Sequence, residues 1–189
     1  MMFKNLKLRI GHKKLGKQLK RFTREKKVHN FVSARKVGIV FYASSKNTFQ
    51  QVVDFTSFLT SQNLEVCLLS YCPLKEIPQE FQLFESVNIF TKKETNWYGK
   101  PLTTVANEFM TNNFDILIDL STEEVFPLKW VVSLSKAKFR VGNLSYPDNP
   151  NDLIINIKPN EDLSYLISQI KHYLNLINNR FAQQDSEES

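Results

Sequence analysis

The sequence predicts a single doubly wound α/β domain, Rossmann-like, with a mostly parallel sheet in the order 3-2-1-4-5-6 and a basic helical extension before it. Three observations carry this prediction. Short apolar, β-branched runs alternate with segments of helical periodicity from residue 36 to residue 180, the pattern of βαβ units. Residues 36–42, 64–71 and 114–120 are nearly continuous in apolar character, as strands covered on both faces are. Charge is also divided along the chain. Residues 1–36 hold thirteen Lys and Arg against the single acid Glu25, a net of +12; since the whole chain is +6, residues 37–189 carry −6. Right-handed crossovers then place a switch in winding direction between the first and fourth strands.

The first 35 residues form the basic arm. Phe3, Leu6, Ile10, Leu15, Leu19 and Phe22 fall on one narrow helical stripe, which predicts a helix over 2–27. Gly11 and Gly16 weaken it by about 1 kcal/mol each relative to Ala. Repulsion between like charges argues that the arm becomes fully ordered on a partner.

The body, 36–180, opens with a buried strand at 36–42, followed by a helix over 47–61 that Ser44 or Ser45 can cap. Residues 64–71 are the second strand. Residues 87–90 are the third, after a connection bearing Pro73 and Pro78. A helix is expected over 102–112, with Pro101 in its first turn. Residues 114–120 give the strongest strand signal. Ser121-Thr122-Glu123-Glu124 then reads as a capped helix start, with the helix running to about Ala137. Strands at 138–142 and 152–157 follow. A terminal helix starts at Pro159-Asn160-Glu161-Asp162 and continues through Ile177. The acidic tail, 181–189, is expected to be disordered.

Composition closes off several function classes. A hydrophobic fraction of 42% with fifteen Phe supports a folded core. Cys67 and Cys72 have no metal-ligand spacing, so a reducing compartment and a cytoplasmic location are expected. No apolar run is long enough to span a bilayer, and the basic N-terminus lacks the apolar stretch of a secretory signal. The three histidines, His12, His29 and His172, form no H-E-x-x-H, and no G-x-S-x-G, G-x-G-x-x-G or P-loop occurs. Asp115 and Asp119 share one side of a strand but lie at its opposite ends, which argues against a paired role. No catalytic residue, metal or cofactor is therefore assigned.

Three binding regions are nominated. The first is the arm, where Lys4, Lys7, Arg9, Lys13, Lys14, Lys17, Lys20, Arg21, Arg24, Lys26 and Lys27 are a phosphate-reading set. The second is the crevice at the switch point, bounded by Tyr42, Ser44, Ser45, Asp119, Ser121 and Thr122, where free helix N–H groups can hold an anion. The third is the loop Asn96-Trp97-Tyr98-Gly99-Lys100-Pro101, in which Asn96, Trp97, Tyr98 and Lys100 suit base stacking or a protein interface.

The stretches Phe114-Asp115-Ile116-Leu117-Ile118-Asp119-Leu120 and Ala137-Lys138-Phe139-Arg140-Val141-Gly142 resemble part of the N-terminal half of heptosyltransferase-type glycosyltransferases. That resemblance implies a Rossmann-like fold. It departs from those enzymes in lacking their early Gly-rich loop; Ala43-Ser44-Ser45-Lys46 follows the first strand here. Taken whole, the chain resembles an uncharacterised bacterial family. The features that carry this are the basic N-terminal helix, the 96–101 loop, Phe126-Pro127-Leu128-Lys129 and Lys171-His172-Tyr173-Leu174-Asn175-Leu176.

The leading expectation is a non-enzymatic RNA-binding protein, attached through its arm to the ribosome or an assembling particle, with proteins of that particle as further partners. A small-molecule or nucleotide-sugar domain, a degenerate glycosyltransferase-like half, is the first alternative. A protein-interaction subunit of a larger complex is the second. A membrane surface ranks below RNA because the apolar face of the arm is narrow and lacks Trp.

Overall fold

The computed structural model describes residues 2–143, 148–157 and 162–177, with side chains from Leu6 onward. Six strands, β1 (Lys36–Tyr42), β2 (Glu65–Cys72), β3 (Val87–Thr91), β4 (Ile116–Asp119), β5 (Phe139–Asn143) and β6 (Leu153–Ile155), form one all-parallel sheet in the order β3-β2-β1-β4-β5-β6. The helices are α1 (Met2–Leu19), α2 (Lys46–Ser61), α3 (Gln79–Gln82), α4 (Thr104–Thr111), α5 (Phe126–Leu134) and α6 (Leu163–Leu176).

Strand alternation builds two cores. Ile39, Phe41, Ile116 and Ile118 point to the layer of α2, α3 and α6. Val40, Leu69, Tyr71 and Leu117 point to the layer of α1, α4 and α5. Both faces of β1 and β4 are therefore dry. Full burial contributes about 1.5–3 kcal/mol for each such side chain, which is why these strands read as apolar runs rather than alternating ones.

Local chemistry moves several element boundaries from their predicted places. The arm's helix stops at Leu19, not at residue 27. Lys20 and Arg21 form a turn, and residues 22–30 then run without regular structure across the body. Tertiary contacts carry Phe22, the last residue of the predicted stripe, and Arg24 out of the helix, with the Arg140 guanidinium 5.8 Å from the Phe22 ring. The Arg24 guanidinium donates to Lys138 O (2.8 Å) and Ala137 O (3.1 Å), and Lys27 N donates to Lys138 O (3.2 Å).

Residues 121–124 do not begin a helix. Ser121 N donates to Asp119 Oδ1 at 3.0 Å in a tight turn, and α5 starts only at Phe126, with Val125 as N-cap. Pro127 in its first turn was the better start signal. Pro101, in turn, does not open a helix. It pairs with Thr95 across an antiparallel bridge, and α4 begins at Thr104. Asp162 caps α6 by accepting from Tyr165 N (3.0 Å). The remainder of the predicted start at 159–161 and the tail 181–189 lie outside the described residues.

The arm's C-terminal part is fastened at the amino edge of the sheet. Buried Asp115 accepts from Arg35 N (2.8 Å), Lys36 N (3.1 Å) and Lys138 Nζ (2.9 Å), and buried His29 Nε2 lies 3.8 Å from it. Burial lowers the His29 pKa below its ordinary value; Asp115 opposes this shift and Lys138 and Lys27 add to it. Burial raises the Asp115 pKa, but the backbone donors and Lys138 outweigh it and leave the carboxyl below its usual range.

Both shifts act in the same direction. The unfolded chain takes up the His29 proton near pH 6.5, before the folded chain does, so stability falls as pH drops below that point. Asp115 adds a further loss below about pH 3.9. We expect the melting temperature to decline between pH 7 and pH 5, and His29→Gln to flatten that decline. An unchanged slope in the variant would remove His29 from the account.

Candidate nucleic-acid interface

The site is built on α1, which lies along the α5 side of the sheet. Its inward face is defined by buried Leu15, partly buried Leu8 and Gly11. A Cβ at Gly11 would lie 2.7 Å from the Phe126 ring and 2.9 Å from Tyr98 O, so only glycine lets the helix approach this closely. The His12 ring meets Phe126 edge-on at 4.9 Å, and its Nε2 sits 3.2 Å from Glu124 Oε1. Glu124 also accepts from the buried Lys129 Nζ at 3.0 Å.

The outward face is cationic. Lys7, Arg9, Lys13, Lys14, Lys17 and Lys20 are exposed, as is Arg21 in the turn. Among the described residues no ion pair engages any of the seven. Helical geometry explains this separation. At 100° per residue, positions 8, 11, 12 and 15 share one side of the helix and 7, 9, 13, 14, 17 and 20 share the other. The run from Lys7 to Lys20 covers about 20 Å of axis. The body therefore holds α1 through Leu8, Gly11, His12 and Leu15, whereas Leu6 and Leu19 of the predicted stripe are exposed, and among the described residues no acid pairs with these cations.

Arg24 and Lys26 are placed differently. The Arg24 side chain is buried and ion-pairs Asp152 through both carboxylate oxygens, and Lys26 Nζ lies 3.6 Å from the same carboxylate. Asp152 Oδ2 also accepts from Arg140 N (2.9 Å). The buried Arg140 guanidinium donates to Ser133 O (3.1 Å) and Ser135 O (2.6 Å), satisfying carbonyls at the C-terminus of α5. Burial and the neighbouring Arg24 pull the Arg140 pKa down to about 10, against the pull of Asp152. Arg24 is thus a clamp between arm and body. Lys27 is exposed, and the Lys4 side chain lies outside the described residues.

The 96–101 loop is a closed turn. Asn96 Oδ1 accepts from Tyr98 N (3.2 Å) and Lys100 N (2.9 Å), while Asn96 N donates to Lys100 O (2.9 Å). Gly99 has φ +94°, which the turn requires and which side chains disfavour. Tyr98 turns inward toward Trp130, and Lys100 Nζ lies 5.8 Å from the Trp130 ring. Trp97 is held outward at 58% exposure. The loop overhangs a cavity of about 380 Å³ whose wall includes Tyr71, Lys92 and Phe126 together with Lys7 and Leu8 of α1.

The switch-point residues lie together at the carboxyl ends of β1 and β4, but their polar groups are engaged locally. Ser45 Oγ accepts from Thr48 N (3.2 Å) and caps α2; Ser44 Oγ is 2.8 Å from Thr48 Oγ1. Asp119 is buried in the turn to Ser121, whose carbonyl accepts from Asn143 Nδ2. Tyr42 stacks on Tyr71, and Thr122 is exposed. Lys92, Tyr71 and Phe126 were missed by sequence reasoning. Lys92 and Tyr71 could have been found from their position at the carboxyl ends of β3 and β2, where open α/β sheets place ligands.

Among the described residues no cluster of His, Cys, Asp or Glu could hold a metal ion, and no helix is long and apolar enough to cross a membrane. The fold is similar to the crystal structure of an exopolyphosphatase-related protein from Bacteroides fragilis, with a TM-score of 0.51 at 14% identity. The match covers 76% of this chain and 41% of that one, so this chain spans less than half of its structural neighbour. At that identity the likeness concerns the fold alone. No curated protein matches the chain, and no comparison bears out the resemblance of residues 114–142 to heptosyltransferase-type glycosyltransferases. Residues 7–177, from Lys7 in α1 to Ile177 at the C-cap of α6, match one family model, and the chain belongs to that family of unknown function, DUF6913.

Proposed function

We propose that this protein is a non-enzymatic RNA-binding protein that attaches to a ribosomal particle or its precursor through the outward face of α1. The observation behind this reading is the row Lys7, Arg9, Lys13, Lys14, Lys17 and Lys20, exposed, without acidic partners among the described residues, and presented by a helix whose other side is packed on the domain. Docking fixes the row in space, so binding a phosphate backbone does not require the arm to fold first. Such a row reads phosphates rather than base edges, which fits a structured RNA surface. Two free cysteines accord with a reducing, cytoplasmic setting.

Co-sedimentation with ribosomal particles tests the reading. The native protein should travel with the particles at low salt and leave them at high salt, and its native preparations should show a raised 260/280 nm absorbance ratio. A variant with the six residues changed to Gln should stay in the supernatant throughout. Removing residues 1–35 would be an unsuitable comparison, because Phe31 and Ala34 belong to the core. Equal sedimentation of the native and substituted proteins would refute the role of α1.

A further inference from the structure

The geometry points to an unpaired nucleobase as the occupant of the cavity beneath the 96–101 loop, stacked on Trp97 with its flanking phosphates on Lys7 and Lys92. This deepens the RNA reading and rests on it: the strand bound along α1 would be single-stranded where it passes the end of the helix. Four observations converge. Trp97 is the most exposed aromatic ring among the described residues, and it sits on a turn closed by four hydrogen bonds involving Asn96 and by the Thr95–Pro101 bridge. Tyr98 meets its ring edge-on at 5.3 Å. The stacking surface is therefore already in place, and binding need not order it.

The cavity volume of about 380 Å³ lies within the range of small-molecule sites. Its wall combines aromatic and apolar groups (Tyr71, Phe126, Leu8) with two exposed lysines and contains no acidic residue. This is the composition that single-strand binders use, a cationic track beside an aromatic platform. Finally, Lys7 belongs to the wall of this cavity and to the exposed row of α1 at once. A strand following the row arrives at Trp97 without changing course.

The same chemistry is offered by a free nucleotide, so the test has three arms: short single-stranded oligoadenylate, a duplex RNA of equal length, and AMP. Each is titrated into the full-length protein while tryptophan emission is followed. Trp130 is buried, so quenching reports Trp97. Oligoadenylate should quench the emission. Trp97→Ala should weaken its binding by roughly ten- to a hundredfold and leave duplex binding unmoved. Trp97→Phe should retain most of the affinity and lose the quenching. AMP should quench only at far higher concentration, since it lacks the phosphates that reach the rest of the row.

Unchanged oligoadenylate affinity in Trp97→Ala, with salt-dependent binding intact, would overturn this inference and leave the role of α1 standing. Failure of both RNAs to bind would remove both. Saturation by AMP without RNA binding would make the cavity a nucleotide site and likewise overturn the proposal.

Discussion

Substituting Gln for Lys7, Arg9, Lys13, Lys14, Lys17 and Lys20 is expected to lower RNA affinity by about two orders of magnitude at 50 mM salt, with the melting temperature nearly unchanged. Phosphate neutralisation and the release of condensed counterions supply most of the free energy of unspecific binding. Six phosphate contacts give a slope of log K against log salt of about −4 on a single strand and about −5 on a duplex; the substituted protein should approach zero on both. Stability should survive because these side chains are exposed and engage no acid among the described residues. Exposed substitutions usually stay within about 0.5 kcal/mol, and removing like charges at i, i+4, as at Lys13 and Lys17, relieves repulsion. Filter binding over a salt series, paired with a melting curve, checks both halves. A variant that melts early would show that the row also holds the fold.

Asp152→Ala is expected to be a damaging surface substitution, destabilising the protein by about 1–3 kcal/mol, because the partly exposed carboxylate is the acceptor for an Arg24 side chain that is itself buried. Asp152 receives the buried Arg24 guanidinium and Arg140 N, and it lies 3.6 Å from Lys26 Nζ. Without the carboxylate, Arg24 and the buried Arg140 face one another with no counter-charge, and an uncompensated buried charge is far costlier than a missing pair. For a domain of this size the loss corresponds to a fall of roughly 2–12 °C in melting temperature. Replacing Arg24 as well should recover part of it, so Arg24→Met/Asp152→Ala should cost less than the two single changes together. Additive losses would show that the clamp between arm and body is not a coupled unit.

The sheet order was legible because the central strands β1 and β4 are dry on both faces and parallel crossovers obey one handedness. Val37, Ile39, Val40 and Phe41 are all fully buried, and that burial is what an uninterrupted apolar run encodes. Boundaries set by contacts distant in sequence were not legible. Nothing near Arg24 announces Asp152, 128 residues later, yet that pair ends the straight course of the arm. The start of α5 was misplaced because Ser121 to Glu124 carry the residue types of a capping box, while the buried turn through Asp119 uses them otherwise. At the candidate site the cations and the aromatic loop stood out by composition. The cavity joining them did not, because Lys7, Tyr71, Lys92 and Trp97 meet only once α1 is laid against α5.

Lysine footprinting with RNA bound tests the central claim most directly. Acylation rates are read by mass spectrometry for Lys7, Lys13, Lys14, Lys17 and Lys20, with Lys46 at the start of α2, in the opposite helical layer, as the internal control. Slowed acylation along α1 with Lys46 unaffected is the predicted result. Equal rates with and without RNA, or protection centred on Lys46, would contradict the account.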